Sequence, residues 1–434
     1  MADDLGWGDT GFNGNDTIRT PHLDAMAEAG LKFTRFYSAA PVCSPTRGSC
    51  LTGRHPYRYG VFFANVGHLR DEEVTLAEVL KTQGYTTGHF GKWHLGTLLP
   101  DYSGKGARRE PVKNYMSPAM AGFDEWFSTE YAVATWDPYD PENFHGKGYD
   151  VRALYWHNGR NVTEPLKGDD SRIIMDRALP FIRRARREDQ PFLAVIWFHT
   201  PHAPVVAGPE YRAKYSRYSG DEQHYYGCIT AMDEQIGRLR AELRRLGIAD
   251  NTMLWFCSDN GPEGKDGRRG RFRGSAGPFR GRKRSLHEGG IRVPALLEWP
   301  EQIEGGQVTA LPCCTSDYYP TVLDVLSAEV QRQPEPVDGM SLLPLIEGGT
   351  ERRPLPMAFE SAKQVALIDN DHKIYSGDGG NTWQLYDMKA DPGETTDISD
   401  QKPALLASMR TKLEAWRDSC ERSLAGADYA NDES

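Results

Sequence analysis

Phe192-Leu193-Ala194-Val195-Ile196-Trp197-Phe198 is an unbroken apolar run rich in branched and aromatic side chains, and the polar cluster His199-Thr200-Pro201-His202 follows it at once. A run of this length without polar alternation reads as a strand buried on both faces. The same grammar recurs on either side. Tyr85 to Phe90 leads into Gly91-Lys92-Trp93-His94-Leu95-Gly96, and Met253 to Cys257 leads into Ser258-Asp259-Asn260-Gly261. Between these runs lie helical patterns: Thr75 to Gln83 stopped by Gly84, Ser171 to Arg187, and Glu222 to Leu246. Nearer the start, Thr20 and Pro21 open a short helix that Gly30 stops, and Leu31 to Tyr37 reads as a strand. Strands alternating with helices predict an α/β fold, a large mainly parallel sheet flanked by helices. In such sheets sites form beyond the carboxyl ends of the strands, which is where the polar clusters fall.

From about Leu355 the texture changes. Short alternating segments at Gln364 to Ile368, His372 to Tyr375 and Trp383 to Tyr386 precede an amphipathic stretch from Ala404 to Arg417. This predicts a small antiparallel sheet plus helix, with a catalytic domain over residues 1–350 and a small α+β subdomain over 351–434. A chain of 434 residues can bury both. The net charge of -10 argues against a general nucleic-acid binder. No apolar run approaches the roughly 18 residues of a membrane span. One stretch is strongly basic, Lys265 to Arg284, with nine basic residues against the single acidic Asp266. The seven cysteines form neither a CxxC pair nor a zinc-like spacing, so neither a disulfide framework nor structural zinc is expected.

Two segments carry the chemistry. In Cys43-Ser44-Pro45-Thr46-Arg47, Ser44 is a candidate N-cap and Pro45 suits the first helical position, which places Cys43 just before a helix N-terminus that favours an anion. A lone cysteine there also reads as a thiol of lowered pKa, a disulfide partner of Cys50, or packing. Asp3-Asp4-Leu5-Gly6 pairs at long range with Ser258-Asp259-Asn260-Gly261. Three carboxylates and an amide oxygen make an all-oxygen ligand set that selects a hard cation such as Ca²⁺ or Mg²⁺, although each segment alone reads as a turn.

Cys43-x-Pro45-x-Arg47, followed after five residues by Gly53-Arg54, is similar to the signature of the type I sulfatases of the alkaline phosphatase superfamily. That resemblance implies a sulfuric ester hydrolase in which a maturation enzyme oxidises Cys43 to formylglycine, held by Arg47. It also implies one Ca²⁺ bound by Asp3, Asp4, Asp259, Asn260 and the residue at 43. Gly91-Lys92-Trp93-His94 resembles the family's Gly-Lys-Trp-His loop. The family's Pro-His-x-Pro element maps to His202 and leaves His199 without a role. The Lys-x₄-Glu-Gly-Gly-x-Arg-Val-Pro segment maps its sulfate-binding lysine to Lys283, with Glu288 and Arg292 holding the loop. Asp338-Gly339-Met340, Leu385-Tyr386-Asp387 and Asp391-Pro392-x-Glu394 look like structural landmarks of the family, so the likeness runs the length of the chain.

The expected reaction is attack on the sulfur of a sulfate ester. Lys92, Lys283 and His202 neutralise the sulfate, His202 or Lys283 protonates the departing alcohol, and His94 takes the second proton. A sulfated carbohydrate is the expected substrate, from the aromatic stretch Trp126 to Trp156 with His145 inside it and from the basic loop. Rival readings are a phosphonate or phosphate ester hydrolase of the same superfamily and a catalytically silent binder of sulfated glycans. Export is expected because sulfated polysaccharides are extracellular. In the family an apolar strand leads into the Asp-Asp pair, whereas only Met1 and Ala2 precede Asp3. The expectation is therefore a missing core strand, through truncation of a longer protein, with closure of the sheet as the alternative.

Overall fold

The structure, a computed structural model, describes residues 1–106, 109–143, 154–264 and 270–429. His145 and residues 265–269 of the basic loop lie outside the described residues. The strands of the larger part are β1 (Leu31–Tyr37), β2 (Thr86–Lys92), β3 (Glu125–Thr129), β4 (Tyr155–His157), β5 (Arg160–Asn161), β6 (Phe192–Trp197), β7 (Leu254–Cys257), β8 (Arg292–Glu298), β9 (Gln307–Thr309) and β10 (Cys313–Cys314). The first helices are α1 (Pro21–Ala29), α2 (Cys43–Thr52), α3 (Leu76–Thr82), α4 (Asp170–Arg187), α5 (Pro209–Ala213) and α6 (Gly220–Arg245).

The strands form two mixed sheets. One has the order β5-β4-β3-β2-β6, with β2 parallel to both β3 and β6. The other has the order β10-β1-β8-β7, with β8 antiparallel to both neighbours and β9 also pairing with β1. Helices cover both faces, as the apolar runs require. Ile174 and Ile182 of α4 and Met232 and Ile236 of α6 share a core with Phe90 and Phe256, while Leu51 of α2 packs with Trp93, Trp126 and Trp197 in another. Strand β2 runs two residues further than its apolar pattern suggested, so Lys92 ends a strand instead of sitting in a loop. Gly91 permits this: at φ +106° a Cβ there would lie 1.9 Å from the Trp197 carbonyl oxygen on β6.

Residues 1–3 stitch the two sheets together. The Met1 ammonium donates to Ile196 O (2.8 Å), Phe198 N to Met1 O (3.0 Å) and Asp3 N to Thr200 O (2.9 Å) on the β6 side. On the β7 side Ala2 N donates to Cys257 O (2.8 Å) and Asp259 N to Ala2 O (3.2 Å). These residues thus run in the parallel sense beside both neighbours, with a single bridge between Ala2 and Ser258. Upstream of them the two edges do not close up. A cavity of about 630 Å³ lies between Phe192 to Ile196 and Met253 to Phe256, floored by residues such as Met175 and Tyr318. The β6 side chains from Phe192 to Ile196 are only half-buried in consequence.

The C-terminal part is a meander of β11 (Met357–Ser361), β12 (Gln364–Asp369), β13 (His372–Ser376) and β14 (Gln384–Asp387), antiparallel throughout. The helix Pro403–Leu424 covers it, with Met409 and Leu413 packed on Val365, Leu367, Ile374 and Leu385. The helix also touches the chain just after α2: Arg58 holds Asp338 through Nε and Nη2 and donates Nη1 to Ser419 and Ser423.

Candidate active site

The polar clusters after β2, β6 and β7 converge with the Asp3-Asp4 pair and the start of α2. Asp3, Cys43 and Asp259 present ligand atoms within 4.8 Å of one another, and so do Asp3, Asp4 and His202. Cys43 is 2% exposed and Asp3, Asp259 and Asn260 are fully buried. Helix α2 begins two residues earlier than expected: Cys43 is its first residue, Val42 precedes it as N-cap, and the buried Ser44 hydroxyl bonds to no partner among the described residues. Proline is tolerated in the first turn because those N–H groups have no intrahelical acceptor, so Pro45 does not mark the start uniquely. The thiol therefore sits at the helix N-terminus itself. All seven cysteines are free and buried, so no Cys43–Cys50 bridge forms.

The residues fit a hard cation. Asp3 Oδ1, Asp4 Oδ2 and Asn260 Oδ1 are buried and accept no hydrogen bond from any described residue. Orphaned buried oxygens of this kind are costly, and three of them on residues clustered with Asp259 suit an oxygen-coordinated divalent ion. The remaining contacts hold this cradle in shape. Asn260 donates Nδ2 to Asp4 Oδ1 (2.7 Å), Asp4 N donates to Asp259 Oδ1 (3.1 Å), and Leu5 N donates to Ser258 Oγ (2.9 Å). Asp4 adopts φ +65°, a strained value for a non-glycine residue, which turns its carboxylate back beside Asp3.

Three cations surround the carboxylates, with a histidine that burial, then Lys283 and Lys92, lower to about 3 against the pull of Asp4. Arg47 donates Nη2 to Asp259 Oδ2 (2.6 Å) and Nη1 to Lys92 O (3.1 Å), and its guanidinium stacks over Trp197 at 5.1 Å. Lys92 Nζ donates to Asp3 Oδ2 (2.6 Å) and Lys283 Nζ to Asp4 Oδ1 (2.6 Å). His202 Nε2 lies 3.8 Å from Asp4 Oδ2. The balance of burial and charge differs from group to group. Burial pushes Asp4 up, but Lys283, then His202 and Lys92, outweigh it and hold the carboxyl below its ordinary range. At Asp259 burial and the neighbouring Asp3 win over Arg47, and its carboxyl rises to about 6. Lys283 is held above its ordinary value, its burial outweighed by Asp4 and the anionic groups around it.

The three histidines have different surroundings. His199 is fully buried, with Nδ1 2.7 Å from Asp170 Oδ2 and Nε2 2.7 Å from Thr129 Oγ1, so it braces β3 against α4 away from the carboxylates. His202 is partly exposed and commits Nδ1 to Ala203 O (2.6 Å). His94 is 5% exposed at φ +60°, and its Nε2 meets Asn65 Oδ1 at 3.0 Å. Burial, then Lys92, Lys105 and Arg47, hold its ring neutral far below the ordinary histidine value. Three nearby residues carry no signal in the sequence: Asn65, Lys105, whose Nζ donates to Asn65 Oδ1 (2.7 Å), and Glu263, which lies 3.6 Å from Lys283 and pairs with Arg284 through both oxygens. Each is an isolated polar residue in a loop, with no spacing to mark it.

Behind the site, Glu288 accepts from Tyr37 Oη (2.8 Å), Lys373 Nζ (3.0 Å) and Arg292 Nη1 (3.2 Å), while Glu394 accepts from Glu288 N (2.7 Å). These contacts fasten the Lys283 loop to the C-terminal sheet.

With this geometry in place, comparison with known proteins is specific. A family model described as Sulfatase matches residues 1–328, and one described as N-sulphoglucosamine sulphohydrolase, C-terminal, matches residues 277–419. The chain is 32% identical over 419 residues to N-acetylgalactosamine-6-sulfatase of Homo sapiens, covering 91% of this chain and 74% of that one. It is 33% identical over 414 residues to steryl-sulfatase of Mus musculus, covering 81% and 65%. Among solved structures, Ps i-CgsB in complex with k-i-k-neocarrahexaose superimposes with a TM-score of 0.81 at 28% identity, over 96% of this chain and 91% of that one.

Proposed function

The chain belongs to the sulfatase family, of the type I branch of the alkaline phosphatase superfamily, and hydrolyses sulfate esters; on that premise we propose which residues do so and on what class of ester. The family works with a bound metal ion and a formylglycine. Here the residue converted is Cys43, by a formylglycine-generating maturation enzyme, and the ion is Ca²⁺, with Mg²⁺ as the second choice. Asp3, Asp4, Asp259, Asn260 and the residue at 43 hold it. The observation that carries this reading is the set of three unpaired buried oxygens beside Asp259 and Cys43. When bound, the cation supplies Lewis-acid polarisation and the formylglycine supplies the nucleophilic oxygen.

The chain's own residues do the rest. Arg47 fixes Asp259 and the β2 end, so the nucleophile and Lys92 keep their relative positions. Lys92 and Lys283 place fixed positive charge against the sulfate oxygens. Proton delivery to the departing alcohol falls to His202 or Lys283: Lys283 is held firmly charged, while burial lowers His202 to about 3 and its Nδ1 proton is committed to Ala203 O, so Nε2 donates only after the bound sulfate has raised the ring's affinity for a proton. His94 accepts the proton released on the opposite side.

The substrate is a sulfated carbohydrate. Relatives named for N-acetylgalactosamine-6-sulfate and a structure holding neocarrahexaose support this class. Residues 1–350 form the catalytic part and 351–434 a small subdomain that braces the Lys283 loop. The protein is exported, since polymeric sulfated sugars lie outside the cell. The test is Ca²⁺-dependent sulfate release from an aryl sulfate and a panel of sulfated sugars, after co-expression with a maturation enzyme and beside Cys43→Ala. Release that vanishes in Cys43→Ala supports the assignment. Turnover of phosphonate or phosphate esters instead of sulfates, or tight glycan binding with Cys43 left as a thiol, overturns it.

A further inference from the structure

The hydrogen bonds around Asn65 contain more information than their distances. Lys105 Nζ lies 2.7 Å from the Asn65 side-chain oxygen, and His94 Nε2 lies 3.0 Å from the same atom. An ammonium can only donate, so the amide atom facing Lys105 is the carbonyl oxygen; a flipped amide would set two donors against each other. That oxygen can only accept. His94 must therefore donate to it, which places the ring proton on Nε2. One further contact holds the arrangement, Lys105 Nζ 4.7 Å above the Tyr131 ring, and Asn65 adopts φ +62° at the turn between Phe63 and Val66. At the other end of the imidazole, His94 Nδ1 is buried and has no hydrogen-bond partner among the described residues.

We propose that Asn65 and Lys105 are positioning residues that lock His94 in the Nε2–H tautomer, leaving the bare Nδ1 lone pair inside the site as its proton acceptor. This rests on the role given to His94 above, and it adds the atom and the two side chains that determine it. Lys105 acts twice. Its hydrogen bond orients the amide, and its charge, together with those of Lys92 and Arg47, keeps the ring from taking a second proton at rest. Burial and Lys92 in turn lower Lys105 to about 8, against the pull of Glu130 and Cys43, so its own charge is sensitive to the same cluster. In the reaction the proton moves to Nδ1: the O–H bond at the reacting centre breaks, its electron pair stays on oxygen, and the N–H bond forms with the imidazole lone pair. Nε2–H stays in its bond to Asn65, so the resulting imidazolium is stabilised on one side by a neutral acceptor.

The tautomer can be read without any turnover. Histidine-labelled protein that keeps Cys43 as a thiol gives a long-range ¹⁵N–¹H spectrum in which the two tautomers have different nitrogen shifts and coupling patterns, with His94 assigned by its loss in His94→Gln. The expected pattern is a protonated Nε2 and a bare Nδ1. Asn65→Leu removes the acceptor and Lys105→Met frees the amide to flip; each shifts the His94 signals toward Nδ1–H or an average, while Asn65→Asp retains the Nε2–H pattern. In matured protein the first two lower kcat for sulfate release by about 10- to 100-fold with KM little changed, the usual scale for losing a group that orients a catalytic histidine. An Nδ1–H pattern in the parent protein, or an unchanged His94 spectrum in both folded variants, overturns the proposal. Failure of sulfate hydrolysis with the Nε2–H pattern intact instead overturns the functional reading and leaves the tautomer assignment standing.

Discussion

Extending the chain ahead of Met1 by about five apolar, strand-forming residues should stabilise it, because the slot between β6 and β7 has the dimensions and the bonding pattern of one strand. Residues 1–3 already pair with both edges, so an added segment continues in register alongside Phe192 to Ile196 and Met253 to Cys257. At ~3.3 Å per residue, five residues span the length of β6 that faces the cavity. Gains come from about five to seven ladder hydrogen bonds at roughly 0.5–1.5 kcal/mol each, and from side chains buried on both faces at roughly 1.5–3 kcal/mol each. Ordering costs about 1–2 kcal/mol per residue for the backbone and up to about 1 more for each Val, Ile or Leu side chain. The net is on the order of 5 kcal/mol. It includes no credit for moving the Met1 ammonium, which burial holds below its ordinary pKa. For a chain of this size that corresponds to a rise in Tm of about 5 °C. Differential scanning calorimetry of a Val/Ile/Leu extension, beside a Gly/Ser extension of equal length, reads the difference directly. Equal Tm values for the two extensions, or a fall with the apolar one, would refute the idea that this cavity is a strand position.

Replacing Arg47 by Met removes the partner of a buried carboxylate that already lies beside Asp3, and should cost about 3–5 kcal/mol in urea unfolding as well as all measurable sulfate release. Arg47→Lys should recover little of either, since one ammonium cannot reach both Asp259 and Lys92 O. His202→Gln should reduce kcat/KM by about 10²- to 10⁴-fold with an unchanged Tm. His199→Gln should do the reverse, lowering Tm because Asp170 keeps only Tyr155 Oη as a side-chain partner while turnover per folded molecule stays near the parent value. Glu394, with burial outweighed by Lys373 and His287, is lowered from 4.5 to about 2. Its folded pKa is below its unfolded one, so its contribution is complete above about pH 4.5 and disappears as the pH falls toward 2. The stability gap between the parent and Glu394→Gln, followed by urea melts, should therefore be widest near neutrality and shrink across that window.

The parts of this molecule that the sequence reveals are those in which one short segment carries the whole signal. The apolar run ending at Phe198 and the one ending at Cys257 are strands in the structure, and the clusters beyond them meet because strand ends on one side of an α/β fold must meet. Asp3 and Asp259 are 256 positions apart in number, yet their side chains could be paired beforehand because a hard cation asks for one kind of ligand. Where a feature depends on a partner elsewhere in the chain, the sequence is silent. The antiparallel pairing of β8 with β1 and β7 follows from how the chain re-enters the sheet, and β8 looks no different from a parallel strand in its burial. The last two residues of β2 look like a loop because they are glycine and lysine, but Trp197 and Thr129 pair with them. The hardest case is His94. Its place after a strand could be read from Gly91-Lys92-Trp93, but the position of its proton depends on an amide 29 residues away whose own orientation is set by a lysine 40 residues further on. Neither side chain has any periodicity or motif to announce it, and each matters only through which atoms can donate. A family signature therefore names the groups that do the chemistry, while the side chains that decide which nitrogen is free to do it emerge only when every donor and acceptor around the ring is accounted for.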